Sequence, residues 1–346
     1  MKATCQVCIH HCRLEPGQRG LCRARRNISG VIQCENYGRI TSLALDPIEK
    51  KPLRLFYPGS LILSVGSYGC NLKCPFCQNH EISMAAPDCR DVPYLSPDAL
   101  RDKALAYRKA GNIGLAFTYN EPLVGWEYIR DTASLIRKAG MKNVLVTNGT
   151  ASLSVLEEIL PFINAMNIDL KGFREEYYQK LGGSLAVVKE FILRAAAECH
   201  VELTTLIVPG ENDREEEMEE EAAWIASVIA SVNPASEIPL HITRFFPPIS
   251  DEGSGRHRCE AGIPSCRACR KISEKCVCGK LLASSPSKQK HVLSFGFVMV
   301  FAKLRFHSPP VPVQSAWHSH PRIHSLPDLF CPESPHRSPE TFPGNR

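Results

Sequence analysis

The chain has 346 residues, 44% hydrophobic, with 16 cysteines and a formal net charge of +5, enough to bury one large domain plus a smaller appendage. The charge is uneven: residues 248–346 hold 14 Lys/Arg against 7 Asp/Glu, the first 247 hold 27 against 29, and this near-neutral body has no basic stripe, so a nucleic-acid partner is not expected. No run of 18 apolar residues suggests a membrane span and MKATCQVC has no charged-then-apolar leader pattern, so a reducing cytoplasmic compartment is expected.

Residues 1–58 read as a Cys-rich metal-binding segment. Cys5, Cys8, Cys12 and Cys22 follow a CxxCx3C spacing with a fourth Cys after PGQRGL. In so large a chain this pattern favours metal over disulfides. Four thiolates in a compact loop suit a closed zinc site or a second iron–sulfur cluster, and spacing does not choose between them. Free thiols in a loop are the alternative. His10 and His11 are spare ligands, and Cys34, Cys89 and Cys199 have no partners in the pattern.

From about residue 60 onward, short apolar runs alternate with amphipathic stretches. Strands are predicted at Leu61–Gly66, Ile113–Phe117, Asn143–Thr147, Ala165–Asp169, Val201–Val208 and Ile238–Thr243, all rich in Val, Ile and Leu as parallel strands buried on both faces should be. Ser96-Pro97 caps a helix that stops at Gly111, Glu121-Pro122 opens one that stops at Gly140, and the acidic run 215–224 starts another. Six βα repeats predict an α/β fold, a partial (β/α)6 TIM-type barrel over residues 59–247. The motifs SYGC, TYNEP, TNG, DLKG and PGEND each follow a strand, at the end where such barrels gather their chemistry.

Cys70, Cys74 and Cys77 form CxxxCxxC directly after the first strand. Three thiolates at that spacing can bind three irons of a [4Fe–4S] cluster and leave the fourth iron open. A zinc knuckle or a chance cluster is the alternative.

Taken together, CQVCIHHCRLEPGQRGLCRARRN, LDPIEKKPL, GCNLKCPFCQNHEIS, TYNEP, TNG, NIDLKGF and LHITRFFP resemble the radical S-adenosylmethionine (SAM) superfamily. Over residues 5–247 the chain is similar to the pyruvate formate-lyase activating enzymes, and most similar to the radical SAM member of the AmmeMemoRadiSam system. The resemblance implies that an electron from a reductant such as flavodoxin or ferredoxin cleaves SAM at the cluster. The products are methionine and a 5′-deoxyadenosyl radical that takes hydrogen from a protein or small-molecule substrate.

It also implies residue roles, each with a structural alternative. Phe76 would pack near the adenine, or simply in the core. Asn120 and Glu121 would meet the methionine amino group, or Glu121 would be a helix-N-terminal carboxylate. Asp169 and Lys171 would meet SAM polar groups, or form a surface pair; Asn148 follows similar logic. His241 would touch the ribose or adenine, or be a core histidine. Competing functions are activation of a glycyl-radical enzyme, a zinc-binding scaffold, and an inactive product.

After RFFP the character changes. Residues 248–346 carry 12 of the 26 prolines and 7 of the 12 histidines without sustained periodicity. Cys259, Cys266, Cys269, Cys276 and Cys278 fit common zinc knuckles poorly, and a disordered tail is the simple reading. A frameshift near Pro247-Pro248 is another: read one base over, residues 248–281 allow an ending like the family's. Resequencing the coding DNA over Pro247–Lys280 decides it.

Overall fold

The computed structural model describes residues 1–85, 92–232, 238–245 and 298–300. Two small hairpins build the N-terminal segment: β1 (Ala3–Thr4) with β2 (Arg13–Leu14), and β3 (Arg25–Ile28) with β4 (Val31–Cys34). β5 (Ser42–Pro47) follows and enters the main sheet, which has eight strands in chain order. β6 (Leu61–Gly66), β7 (Asn112–Phe117), β8 (Lys142–Thr147), β9 (Ala165–Asp169), β10 (His200–Ile207) and β11 (Leu240–Arg244) run parallel. β5 and β12 (Val298–Val300) lie antiparallel at the two edges, which do not pair with each other. The fold is α/β with a mostly parallel, open sheet.

The helices are α1 (His80–Ser83), α2 (Pro97–Ala106), α3 (Trp126–Lys138), α4 (Leu153–Ile159), α5 (Glu175–Leu181), α6 (Leu185–Ala196) and α7 (Glu215–Val232). Ser96 caps α2, its hydroxyl accepting from Ala99 N at 3.2 Å, and Gly111 ends that segment in the left-handed region at φ +92°. Among the described residues no helix is long and apolar enough to cross a membrane.

All six predicted parallel strands are present, with shifted ends. β11 begins at Leu240 because Pro239 has no N–H to give a ladder; its carbonyl instead accepts from Leu203 N at 2.8 Å. The helix opened by Glu121-Pro122 starts as a 3-10 turn, Pro122–Gly125, and becomes regular only at Trp126. β5 and the break between α5 and α6, where Gly182 takes φ +79°, lie outside the sequence prediction. Of the tail, only Val298–Val300 is described; its five grouped cysteines and the proposed frameshift junction lie outside the described residues.

One face of the sheet, including Leu63, Leu115, Leu145, Met166, Ile168 and Leu203, packs with the helices in the main apolar core. On the other face Ile62, Ala116, Val144 and Ala165 pack with Ile48 and Leu53 of the segment preceding β6. β7 and β8 approach so closely at Gly114 that a Cβ there would stand 1.8 Å from Lys142 O, which only glycine permits.

Arg25 fastens the N-terminal segment to the barrel. It is 3% exposed, forms a bidentate pair with Glu127 on α3 at 2.6 and 2.5 Å, and its Nε donates to Val124 O at 2.8 Å. Removing one partner of so enclosed a pair is costly. Arg25→Met is expected to lower stability by about 3 kcal/mol. Urea unfolding checks this, and an unchanged midpoint overturns it.

Candidate functional site

Strand register places a polar row on the face of the sheet opposite the main core. Asn167 pairs with Glu202 in register, then Asp169 with Thr204 and Thr204 with His241; Asp169 ends β9, while Glu202 and His241 lie early in β10 and β11. The loop carrying Cys70, Cys74 and Cys77 leaves β6 at the C-terminal end of the strands, the end at which Asp169 lies.

Four neighbours hold that loop. Asn120 Oδ1 accepts from Ser67 N at 3.1 Å, while its Nδ2 donates to Tyr68 O at 3.2 Å and Gly69 O at 3.0 Å. Asn148 Nδ2 donates to Asn71 Oδ1 at 2.9 Å and stands 3.8 Å from Cys70 Sγ. His10 Nε2 donates to Asn71 O at 2.7 Å, since a carbonyl can only accept. Lys73 N donates to Leu181 O at 3.0 Å.

The three thiols are half-buried and lie in one another's fields, Cys70 with Cys74 and Cys74 with Cys77. Burial, then the nearby Glu121 carboxylate, pushes the Cys70 thiol up to about 12. Burial also raises Cys74, against the pull of Lys171. Thiolates are the metal-binding form, so this pocket favours them only when a cation offsets their charge. Among the described residues no three His, Cys, Asp or Glu groups form a ready-made metal cage. The donor set still fits a cluster: three half-buried thiols on one short loop, with no fourth cysteine in that loop.

Lys171 Nζ pairs with Asp169 Oδ2 at 2.6 Å, and both act electrostatically on Cys74. Burial opposes the Lys171 charge, but Asp169 and Cys74 outweigh it and raise its pKa. The pair thus stands beside the cysteine loop, the Asp169 side chain 31% exposed and that of Lys171 17%. Phe76 is half-buried and packs into none of the apolar clusters of the described residues.

Asn120 and Glu121 are placed differently from the roles that the resemblance implies. Glu121 is 3% exposed, and both its oxygens are engaged inside the protein. Oε1 accepts from Thr147 Oγ1 at 2.8 Å and Leu123 N at 3.0 Å, and Oε2 from Asn148 N at 2.8 Å. It caps the Pro122–Gly125 turn, as the structural alternative has it. Asn120 has its side-chain oxygen and nitrogen on the backbone of 67–69. Both hold loops in place.

His241 is fully buried, its Nε2 donating to Glu202 Oε2 at 2.6 Å, while its Nδ1 has no partner among the described residues. Burial favours a protonated Glu202, but hydrogen bonds from His200, His241 and the N–H groups of Arg54 and Leu55 prevail and hold its pKa down at about 2. Sequence reasoning missed Glu202, Asn71 and Thr147; their partners are distant in the chain and no local spacing marks them. Of the spare ligands, His10 is tied to Asn71, and His11 Nδ1 faces Gln6 Oε1 at 3.0 Å.

Gly69 supplies the tightest seam. At φ +97°, a Cβ there would meet Cys22 O at 2.7 Å and Ala24 Cβ at 2.8 Å. Gly69→Ala is expected to lose about 2 kcal/mol of stability or more, together with most of the iron retained after reconstitution. Iron analysis and urea unfolding check it; full iron at an unchanged midpoint overturns it.

The pattern of the Radical SAM superfamily matches residues 64–222. The chain is 39% identical over 249 residues to an uncharacterized protein of Methanocaldococcus jannaschii, covering 71% of each. It is 36% identical over 106 residues to a cysteine-type anaerobic sulfatase-maturating enzyme of Clostridium perfringens, 27% of each chain. It is 26% identical over 120 residues to the pyruvate formate-lyase 1-activating enzyme of Escherichia coli, 33% of this chain and 47% of that one. The matched span contains the three-cysteine loop, Glu121, Asn148, Asp169 and Lys171, and the chain belongs to the radical SAM superfamily, whose cofactors are a [4Fe–4S] cluster and SAM.

Proposed function

We propose that this radical SAM enzyme is of the activating-enzyme type, most similar to the AmmeMemoRadiSam member, and that Cys70, Cys74 and Cys77 ligate its cluster. The observation that carries the reading is the convergence of those three thiols with the Asp169–Lys171 pair at the C-terminal ends of the strands. When bound, the cluster and SAM supply one-electron cleavage of the sulfonium, giving methionine and a 5′-deoxyadenosyl radical that becomes 5′-deoxyadenosine by taking a substrate hydrogen.

The protein's part is charge balance, orientation and exclusion of water. Lys171 offsets thiolate charge at Cys74, and Asp169 offers a partly exposed carboxylate to a cationic group of SAM. Phe76, between the last two cysteines, offers a ring face to the adenine. Asn148 orients Cys70, and Asn120 and Glu121 set the loops around it. The contact of His241 with the ribose or adenine, which the resemblance implies, would need its buried Nδ1 to be uncovered. The electron comes from a flavodoxin- or ferredoxin-class reductant, and the substrate is a protein or a small organic molecule. The match to the E. coli activating enzyme supports, as a second reading, activation of a glycyl-radical protein.

The test is 5′-deoxyadenosine release from SAM by anaerobically reconstituted, dithionite-reduced full-length protein. Release above a no-protein control is the expected result. No release at full iron loading overturns the reading.

A further inference from the structure

Four thiols of the N-terminal segment have no part in the function above. Cys5, Cys8 and Cys22 are each less than a tenth exposed and Cys12 is half-buried. Each lies among its fellows: Cys5 in the field of Cys12, Cys8 in that of Cys5 and Cys12, and Cys22 in that of Cys8 and Cys5. The backbone gathers them. Cys5 N donates to Cys12 O at 2.9 Å, and Gly20 lies so close that a Cβ there would stand 3.7 Å from Cys12 Sγ.

Beyond the Arg25–Glu127 pair and the packing of Cys5 and Val7 into the main core, the segment has little apolar support of its own. Around Cys22 the buried apolar cluster contains only Ala24 and Val124 besides itself. Two hairpins of this size do not bury enough apolar surface to be stable alone. Thiols stand where a core would be, and buried thiols in company are what a metal replaces a core with.

We propose that Cys5, Cys8, Cys12 and Cys22 hold one zinc-class divalent ion in a closed four-thiolate site, which clamps the N-terminal segment onto the loop carrying Cys70, Cys74 and Cys77. The ligand spacing admits this class, as it also admits an iron–sulfur cluster, and the closed four-thiolate set is what favours zinc. Two residues separate Cys5 from Cys8 and three separate Cys8 from Cys12, both within the short intervals of zinc loops, and the run matches neither common ferredoxin spacing. Four thiolates complete a tetrahedron and leave no open position, which makes the site structural. Among the described residues neither these four sulfurs nor those of Cys70, Cys74 and Cys77 form a ready-made cage, so binding the ion must draw the thiols together.

The clamp acts through contacts already in place. Asn71 acts electrostatically on the Cys8 thiol and accepts from Asn148, which reaches Cys70. His10, two residues past Cys8, donates to Asn71 O. Cys22 O packs on Gly69. Cys8 forms a β-bridge with Ala151, just past the TNG loop. A metal that fixes Cys8 and Cys22 therefore fixes both sides of the cluster loop.

The test is zinc and iron content of the full-length chain, purified anaerobically from cells supplied with both metals and then reconstituted with iron and sulfide. About one zinc per chain is expected in the wild type, beside about four irons. Cys34→Ser, at a half-buried thiol outside the quartet, keeps its zinc, and so does Cys74→Ala, which loses the iron. Cys8→Ser/Cys22→Ser loses the zinc and is cut by protease within residues 1–40 on the order of tenfold faster. Wild-type protein without zinc overturns the proposal. So do about four further irons that vanish with the double variant, which mark a second iron–sulfur cluster. If the double variant does not fold, mercurial titration of the wild type decides: zinc release that tracks modification of about four thiols supports the site, and release tracking none overturns it. Because Cys74→Ala reports on the cluster separately, failure of this site and failure of the radical SAM assignment give different results.

Discussion

Alanine at Cys74 is expected to abolish 5′-deoxyadenosine formation, a loss on the order of 1,000-fold or more, while Cys34→Ser and Cys199→Ser keep wild-type rates. Cys74 is the central thiol of the trio, in the fields of Cys77, Asp169 and Lys171, and Cys70 in turn lies in its field. Its removal leaves two thiols for a cluster that needs three, while Lys171 keeps its partner Asp169. Cys34 is a contrasting thiol: it donates to Asn36 Oδ1 at 3.1 Å, and burial drives its pKa up to about 12. Cys199 lies just before β10, at the end of the sheet away from the loop, and burial raises it likewise to about 12. Neither belongs to the three-thiol loop that the cluster would use. Iron content and deoxyadenosine yield, measured on the same preparations, check the series. A Cys74→Ala protein that keeps its iron and still forms deoxyadenosine removes the assignment of this loop; equal loss in all three variants points to general instability instead.

Much of the scaffold was legible because parallel strands buried on both faces must be apolar throughout, and the six runs stood out for that reason. Spacing singled out the cysteine loop and a strand end singled out Asp169 and Lys171, which lie together in the fold and whose roles belong to the proposed function. The roles of Asn120 and Glu121 were not legible. A carboxylate after a strand in a loop reads the same whether it faces a ligand or caps a turn, and only the folded positions of Thr147 and Asn148 show where its oxygens go. Long-range pairs were equally hidden: Arg25 and Glu127 are 102 residues apart, and His241 and Glu202 39. β5 escaped because six residues of partial alternation carry little signal before the strand beside them is known. What a single sequence conceals is which polar groups satisfy each other, and that decides which remain free for a ligand.

Glu121 gives that distinction a measurable form. Three donors converge on it, yet burial dominates and pushes its carboxyl up to about 7. Its folded pKa therefore lies above its ordinary value near 4.5, and the folded state keeps a proton that the unfolded chain gives up. The stabilisation from this proton is complete below about pH 4.5 and is lost as pH rises through about 7. Across that interval this one group should lower stability by about 3 kcal/mol. Glu121→Gln has no proton to lose, so its stability should lack that decline, and the wild-type-minus-variant difference should shrink by about the same amount between pH 5 and pH 8. Glutamine keeps one carbonyl oxygen for Thr147 and Leu123 but turns an N–H toward Asn148 N, so it is the less stable protein at pH 5, by about 2 kcal/mol. Glu121→Ala leaves all three donors unsatisfied and should lose roughly 3–6 kcal/mol at pH 5. Urea unfolding of cluster-free protein at both pH values checks the set. A ligand-facing carboxylate predicts the opposite: parallel pH profiles for wild type and Gln, and an alanine variant that folds as well as the wild type but has lost its affinity for SAM.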